Sequence, residues 1–411
     1  MGDRPRPDGP PAEVIQASED IHATEDIRVV GVVGAGTMGA GIAQVAIEAG
    51  HTVRLYDADP AAGARAVERI ADGLARRAAK RGDEMGDDVA TTLRRLRIAL
   101  TLDEAAEDAD LVIEAAAEDL AVKRSLFERL DTATRPGATL ATNTSSLSVG
   151  AIATATADPG RVVGLHFFNP AAVMLLVEVV STPDVRPDVA ERAVALMARW
   201  DKTPVRCADT PGFIVNRVNR PFTLEALRVV EEGQATVREV DDALRADGFP
   251  MGPFELMDLI GIDVNLAVAR SLYEAFDHDE RFRPSPLQER LVGVGGLGRK
   301  TGIGFHRYDP GSSVPVPAGV PRVDAAHSAE IVERVTLAVV NEAYRALGDG
   351  VATRADIDRA LRLGAGHPLG PFERVADLGG PAVVAAHLDL LAERHGSRFE
   401  PAPALRSEAR H

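Results

Sequence analysis

His166 sits inside the apolar run VVGLHFF, and Glu178 sits inside LLVEVV. An ionisable side chain embedded in such a run is costly unless it is paired. If the two runs lie side by side, each residue satisfies the other. A carboxylate on one imidazole nitrogen then sets the tautomer and raises the basicity of the other. That makes a general base suited to the proton of a secondary alcohol. Taken singly, His166 also reads as a satisfied core histidine and Glu178 as a strand-edge carboxylate. A second set of residues points to phosphate. Gly34-Ala35-Gly36-Thr37-Met38-Gly39 is G-x-G-x-x-G, and Asp57 follows Gly39 by 18 residues. An acid about 20 residues on is where a dinucleotide site meets a ribose. Gly34 suits the tight turn, Gly36 a close approach of backbone to pyrophosphate, and Gly39 close packing of helix on strand. The N–H groups of the following helix would face the phosphates. Asp57 repels a 2′-phosphate and no Arg follows at 58 or 59, which favours NAD over NADP. Asn143-Thr144-Ser145-Ser146 adds hydroxyls, and Asn216 adds an amide within FIVNR. The first also reads as a Ser/Thr turn and the second as a buried structural amide.

These groups need a frame to position them. IRVVGVV (27–33) reads as a buried parallel strand ending at the glycines. Further strands are expected at 51–57, 96–101, 110–117, 138–142, 161–168 and 175–181. Helices are expected at 37–50, 60–81, 119–132 and 184–200. The alternation means a doubly wound α/β sheet, a Rossmann-type NAD-binding domain over 27–208. The last two strands have no helix between them, which suggests an antiparallel addition. Residues 143–146 then follow the carboxyl end of a strand, where ligands bind in such sheets.

From 209 to 308 the pattern is helical, with a break at Gly248–Pro253. A Pro/Gly-rich linker is expected at 309–322, a second helical stretch at 323–395 and a loose polar tail at 396–411. EALRVVEEGQATVREVDDALRADGFPMGPFE (225–255) returns as EAYRALGDGVATRADIDRALRLGAGHPLGPFE (342–373), at an offset of 117 and then 118 residues. Two copies are too few for a solenoid, so one all-α domain has been duplicated. Asn216 corresponds to Glu333. The second copy therefore lacks the amide and is expected to be structural.

A chain of 411 residues holds two or three domains. Its formal charge of −16 argues against broad nucleic-acid or anionic-membrane binding. No window approaches the ~18–20 apolar residues of a membrane span. Residues 1–26, with Pro5, Pro7, Pro10 and Pro11, read as a disordered leader without a secretory signal. The single Cys207 excludes an internal disulfide framework and a multi-cysteine zinc site, and no metal is expected. A cytoplasmic location follows as the default. Only four lysines stand among the 46 basic residues: Lys80, Lys123, Lys202 and Lys300.

In order along the chain run GAGTMGAGIAQ (34–44), EDLAVKRSLF (118–127), NTSSLS (143–148), GLHFFNP (164–170), VEVV (177–180), DTPGFIVNR (209–217), GPFELMD (252–258) and RKTGIGF (299–305). On these blocks the chain resembles the L-3-hydroxyacyl-CoA dehydrogenase family, including the 3-hydroxybutyryl-CoA dehydrogenases. The resemblance covers 27–308, and 323–395 is similar to the second C-terminal domain of two-repeat members. It implies His166 as base and Glu178 as its orienting carboxylate. Ser145 and Asn216 would bond the substrate 3-oxygen and the histidine region. Glu118, Lys123, Ser145, Asn169 and Lys300 would contact NAD beside Gly34, Gly36, Thr37, Met38 and Gly39, with Asp57 on the adenosine ribose. Arg65, Arg69, Arg76 and Lys80 share one helix face within about 60°. That face reads as a solvated stripe or as a site for coenzyme A phosphates, and the family's contacts in this region favour coenzyme A for Lys80. The implied reaction is reversible oxidation of an L-3-hydroxyacyl-CoA to the 3-ketoacyl-CoA. Its partners would be acyl-CoA, with a homodimer or an internal pseudo-dimer of the helical copies. Two alternatives are an NAD-dependent dehydrogenase of a non-CoA hydroxyacid and a catalytically silent NAD-binding protein. Intact Ser145, His166, Glu178 and Asn216 argue against the second. A hydroxyacid dehydrogenase with a catalytic lysine would need one in 209–235, which has none. Lys202 has no assigned role.

Overall fold

The structure, a computed structural model, describes residues 27–81, 86–312, 314–315 and 324–410. The expected leader and much of the expected linker lie outside the described residues. Eight strands form one sheet: β1 (Val29–Val33), β2 (Thr52–Tyr56), β3 (Leu96–Ile98), β4 (Leu111–Glu114), β5 (Thr139–Thr142), β6 (Val162–Phe167), β7 (Leu176–Ser181) and β8 (Thr203–Ala208). Their order is β3-β2-β1-β4-β5-β6-β7-β8. All neighbours are parallel except β6 and β7, the expected antiparallel pair. β4, β5 and β6 are buried throughout because helices cover both faces, and this is why they read as unbroken apolar runs. β8 was not expected. Its Pro204 argues against a central strand, but β8 is the sheet edge, where a missing N–H is tolerated.

The helices of this half are α1 (Thr37–Glu48), α2 (Pro60–Arg81), α3 (Gly86–Leu93), α4 (Leu102–Ala106), α5 (Leu120–Ala133), α6 (Val149–Ala153) and α7 (Pro187–Arg199). One core packs α1, α2 and α7 on one sheet face. The other core runs from the opposite face through the rest of the chain. That remainder begins with α8 (Val215–Val218), α9 (Arg220–Glu231), α10 (Val237–Ala246), α11 (Pro253–Ile260), α12 (Ile262–Ala275) and α13 (Pro286–Gly293). It ends with α14 (Ala325–Gly348), α15 (Arg354–Ala365), α16 (Pro371–Asp377), α17 (Pro381–His395) and α18 (Pro403–Glu408). Among the described residues no single helix is long and apolar enough to cross a membrane.

The expected loose tail at 396–411 is corrected. Phe399, Ala402 and Leu405 are buried, and α18 packs on α14 and α17. Its sequence is the continuation of the repeat. RFRPSP (281–286) returns as RFEPAP (398–403), again at an offset of 117. Short apolar anchors between polar residues concealed it.

Buried ions tie the two copies together reciprocally. Arg217 Nε donates to Glu342 at 2.8 Å, and the equivalent Arg334 Nε donates to Glu225 at 3.1 Å. Arg217 also meets Asp349 at 2.5 Å, and Arg334 meets Glu232 at 2.7 Å. Arg281 pairs with Glu342, and its counterpart Arg398 pairs with Glu225. Residue i contacts j′ while i′ contacts j, which is the signature of a two-fold interface. Burial alone would lift the Glu225 carboxyl, but Arg228, Arg398 and Arg334 outweigh it and hold it below its ordinary 4.5. Glu225→Ala leaves the buried Arg228 without a carboxylate and takes one from Arg334 and Arg398, and should cost about 3–5 kcal/mol in denaturant unfolding at pH 7. A depressed carboxyl confers its stability fully above its unfolded value and loses it as pH falls through the folded value. The deficit of the variant should therefore shrink on acidification. A loss under about 1 kcal/mol at pH 7 would contradict the role given to the lock.

Candidate active site

The antiparallel register places His166 directly opposite Glu178. His166 Nδ1 lies 2.6 Å from Glu178 Oε2. Glu178 is fully buried, and its Oε1 accepts the backbone N–H groups of Ile214 at 3.1 Å and Val215 at 2.8 Å. One carboxylate thus joins the sheet to the start of α8. With Nδ1–H donated to Glu178, Nε2 is left as a proton acceptor. The imidazole packs against the rings of Phe168 at 4.6 Å and Phe213 at 5.7 Å.

Asn216, one residue beyond Val215, donates from Nδ2 to the Ser145 carbonyl at 3.1 Å. This brings the helical region onto the Asn143–Ser146 loop. Asn143 Oδ1 accepts the Phe167 N–H at 2.9 Å, which holds that loop beside His166. Glu118 Oε1 gathers the loop from below. It accepts Thr144 Oγ1 at 2.8 Å, Ser145 N at 2.8 Å, Ser145 Oγ at 3.1 Å, Ser146 N at 3.0 Å and Ser146 Oγ at 3.0 Å. Burial would raise the Glu118 carboxyl, but Lys123 and these donors hold it below the ordinary range. The Ser145 hydroxyl therefore donates its hydrogen bond to Glu118 and presents lone pairs elsewhere.

Lys123, expected to meet the cofactor, is buried. Its Nζ lies 2.7 Å from Glu114 and 3.4 Å from Glu118, so it holds Glu118 in place. Glu114 was missed. It ends β4, fully buried, and also accepts Thr142 Oγ1 at 2.7 Å. An acid closing the apolar run DLVIE was the available signal, the same one that marks His166.

The glycine turn behaves as its sequence requires. Gly34 has φ 102°, and a Cβ there would lie 2.5 Å from the Ala115 carbonyl. A Cβ on Gly39 would overlap the Gly34 carbonyl at 1.7 Å. Gly36 differs, because a Cβ there would meet nothing within 4 Å. The protein does not need that glycine for its own packing, and the open space lies over the N-terminus of α1, which has no side-chain cap. A bound pyrophosphate fits this cradle. Asp57 accepts the Ala35 N–H at 2.6 Å through Oδ2 and the Asp59 N–H at 2.8 Å through Oδ1.

Asn169 and Thr37 line a cavity of about 380 Å³ that continues past Gly73 to Arg69 and Arg76. The charged stripe is partly redirected, since Arg65 pairs with Asp59 at 2.6 Å. The Lys80 side chain lies outside the described residues. Lys300 binds both oxygens of Asp263, at 2.6 and 2.7 Å, on the helical side. Lys202 acquires a place. Its Nζ donates to the Ala171 carbonyl at 2.6 Å and the Met174 carbonyl at 2.8 Å, clamping the loop that walls the cavity. Burial, reinforced by Arg77, pulls its pKa down to about 8. Cys207 is buried, and burial raises its thiol further, so it is no nucleophile.

A dinucleotide-type turn closing β1 and a buried histidine–carboxylate pair on β6 and β7 are the parts an NAD-dependent oxidoreductase requires. The NAD-binding domain model of 3-hydroxyacyl-CoA dehydrogenase matches residues 29–210. Its C-terminal domain model matches residues 212–308 and again 331–410. The 3-hydroxyadipyl-CoA dehydrogenase of Escherichia coli is 38% identical, covering 93% of this chain and 98% of the relative. A probable 3-hydroxybutyryl-CoA dehydrogenase of Bacillus subtilis is 42% identical over 70% of this chain and 100% of its own length. The crystal structure of a 3-hydroxybutyryl-CoA dehydrogenase from Escherichia coli superposes with TM-score 0.85 at 36% identity, covering 93% and 98% of the two chains. The chain belongs to the 3-hydroxyacyl-CoA dehydrogenase family and is an NAD-dependent oxidoreductase.

The second copy also reaches the site. Ala208 N donates to the Val351 carbonyl at 2.8 Å. A Cβ on Gly364 would lie 2.6 Å from Leu176 Cδ2 and 2.9 Å from Val215 Cγ2, with Phe168 at 3.6 Å. Leu176 is two residues from Glu178 on β7, and Val215 donates to it. Gly364→Val should displace both and lower kcat by about 10–100-fold, given how steeply rate falls with misplacement. NAD affinity, read by fluorescence titration, should stay within about two-fold, a shift of under half a kcal/mol. An unchanged kcat in a folded variant would remove the buttress role.

Proposed function

We propose that His166 Nε2 takes the hydroxyl proton of an L-3-hydroxyacyl-CoA while Glu178 balances the imidazolium that forms. The observation that carries this reading is the 2.6 Å contact between His166 Nδ1 and a fully buried Glu178. Asn216 spends one amide hydrogen on the Ser145 carbonyl and keeps its second for the substrate 3-oxygen. NAD, when bound, would supply the acceptor for the hydride from C3. The turn carrying Gly34, Gly36, Thr37, Met38 and Gly39 holds the pyrophosphate, and Asp57 holds the adenosine ribose. Ser145, Asn169, Lys300 and Glu118 border the nicotinamide side, with Lys123 acting through Glu118. Arg69 and Arg76 offer charge to coenzyme A along the cavity, and Lys80 follows them on the same helix. The reverse reduction uses the same groups.

The substrate class follows the relatives' names, which carry two acyl ends, 3-hydroxybutyryl and the dicarboxylic 3-hydroxyadipyl. We place the reaction in the cytoplasm, in keeping with a lone, buried cysteine. The reciprocal ion pairs support a monomer in which the second helical copy acts as a built-in partner. His166→Ala should lower kcat by ~10²–10⁴ in an NADH absorbance assay with 3-ketoacyl-CoA. Near-wild-type turnover by that variant would reject His166 as the base.

A further inference from the structure

Five arginines are buried among the described residues: Arg161, Arg217, Arg220, Arg228 and Arg334. Four of them face a carboxylate, on Asp131, Glu342, Glu225 and Glu225 respectively. Arg220 faces none. It is 6% exposed, its Nε has no partner, and its one side-chain hydrogen bond among the described residues reaches the Asn265 carbonyl at 3.4 Å. Burial pulls it down to about 10, which still leaves it charged at neutral pH. Next to it, Asn265 Oδ1 accepts Gln288 Nε2 at 2.8 Å, while Gln288 Oε1 has no partner. A buried cation without a counterion and an amide oxygen without a partner are costly features for a protein core.

The duplication supplies an internal control. The offset of 117 pairs Arg220 with Leu337 and Gln288 with Leu405, and the starts of α12 and α17, Ile262 and Pro381, pair Asn265 with Val384; all three partners are 0–1% exposed. The same helical fold therefore closes as a dry apolar core when nothing else is asked of it. The polar cluster exists only in the copy that also carries Asn216.

Its position relative to Asn216 is informative. Asn219 has φ −81° and ψ −8°, so the backbone stays helical from α8 into α9. Arg220 therefore lies one turn, about 6 Å, beyond Asn216 on the same face. Helical Cβ atoms tilt toward the N-terminus, so the Arg220 side chain leans toward the Asn216 turn. In a six-carbon acyl chain the terminal carbon lies three C–C bonds past C3, about 4 Å when extended.

We propose that Arg220 anchors a terminal carboxylate, so that the preferred substrate is the coenzyme A thioester of a six-carbon 3-hydroxy dicarboxylic acid. The carboxylate would supply the counterion that the other buried arginines have, by charge-assisted hydrogen bonds from the guanidinium. This rests on the dehydrogenase reading above.

The test compares kcat/KM of the full chain for a six-carbon 3-oxo dicarboxylyl-CoA and for neutral four- and six-carbon 3-oxoacyl-CoAs. Arg220→Leu carries the residue of the duplicate and should fold with an undiminished Tm. The wild type should favour the diacid by about 100-fold, and Arg220→Leu should lose about 100-fold on the diacid alone. Arg220→Lys should restore part of the preference, since the charge remains but the planar fork does not. Turnover of neutral chains with no preference for the diacid overturns the anchor and leaves the dehydrogenase reading intact, as does an equal loss on both substrates in Arg220→Leu. No wild-type turnover of any of these thioesters overturns the dehydrogenase reading, and the anchor with it.

Discussion

A single buried carboxylate holds this molecule's working parts together. Glu178 has no contact with solvent, so all of its acceptor capacity must be met inside the protein. One oxygen takes the imidazole of His166, and the other takes two backbone N–H groups at the start of α8. The first contact requires β6 and β7 to run antiparallel in one register. The second requires the helical region to enter at one angle. Asn216 follows in the next residue and closes onto the Ser145 carbonyl. Sheet, loop and helix are therefore positioned by groups that would be left unsatisfied if any of them moved.

A second system of buried charge governs the other half. Arg217 with Glu342 and Arg334 with Glu225 form one interaction made twice, as across a two-fold axis. In one chain the partner is always present, and its effective concentration is set by the connecting segment. The two copies differ at the residues proposed for the site. Glu333 stands where Asn216 would be, and Leu337 stands where Arg220 would be. The second copy meets the sheet and α8 at Gly364, whose missing side chain lets α15 lie against Leu176 and Val215.

Much of this was legible along the chain. Apolar runs buried on both faces, glycines at the turn and ionisable residues within strands each carry a local physical cost, and that cost shows in the residue types. Other parts were not legible for equally physical reasons. Pro204 disguised β8 because a proline is tolerated only at an edge, and edges are a property of the finished sheet. The segment 396–411 looked polar because its anchors, Phe399 and Leu405, are few and separated. Lys123 carries a family motif, yet its ammonium is committed to Glu114 and Glu118.

By itself the sequence determined the nucleotide-binding half, the duplication and the identity of the histidine–carboxylate pair. Those depend on spacing, periodicity and the cost of burying charge, which are local properties. Only the tertiary structure decided which charges have partners. It paired four buried arginines, left Arg220 without a carboxylate, and turned Lys202 into a clamp on the loop beside the cavity. Whether a buried ion is satisfied depends on atoms a few ångströms away in space and often a hundred residues away along the chain, as with Arg217 and Glu342.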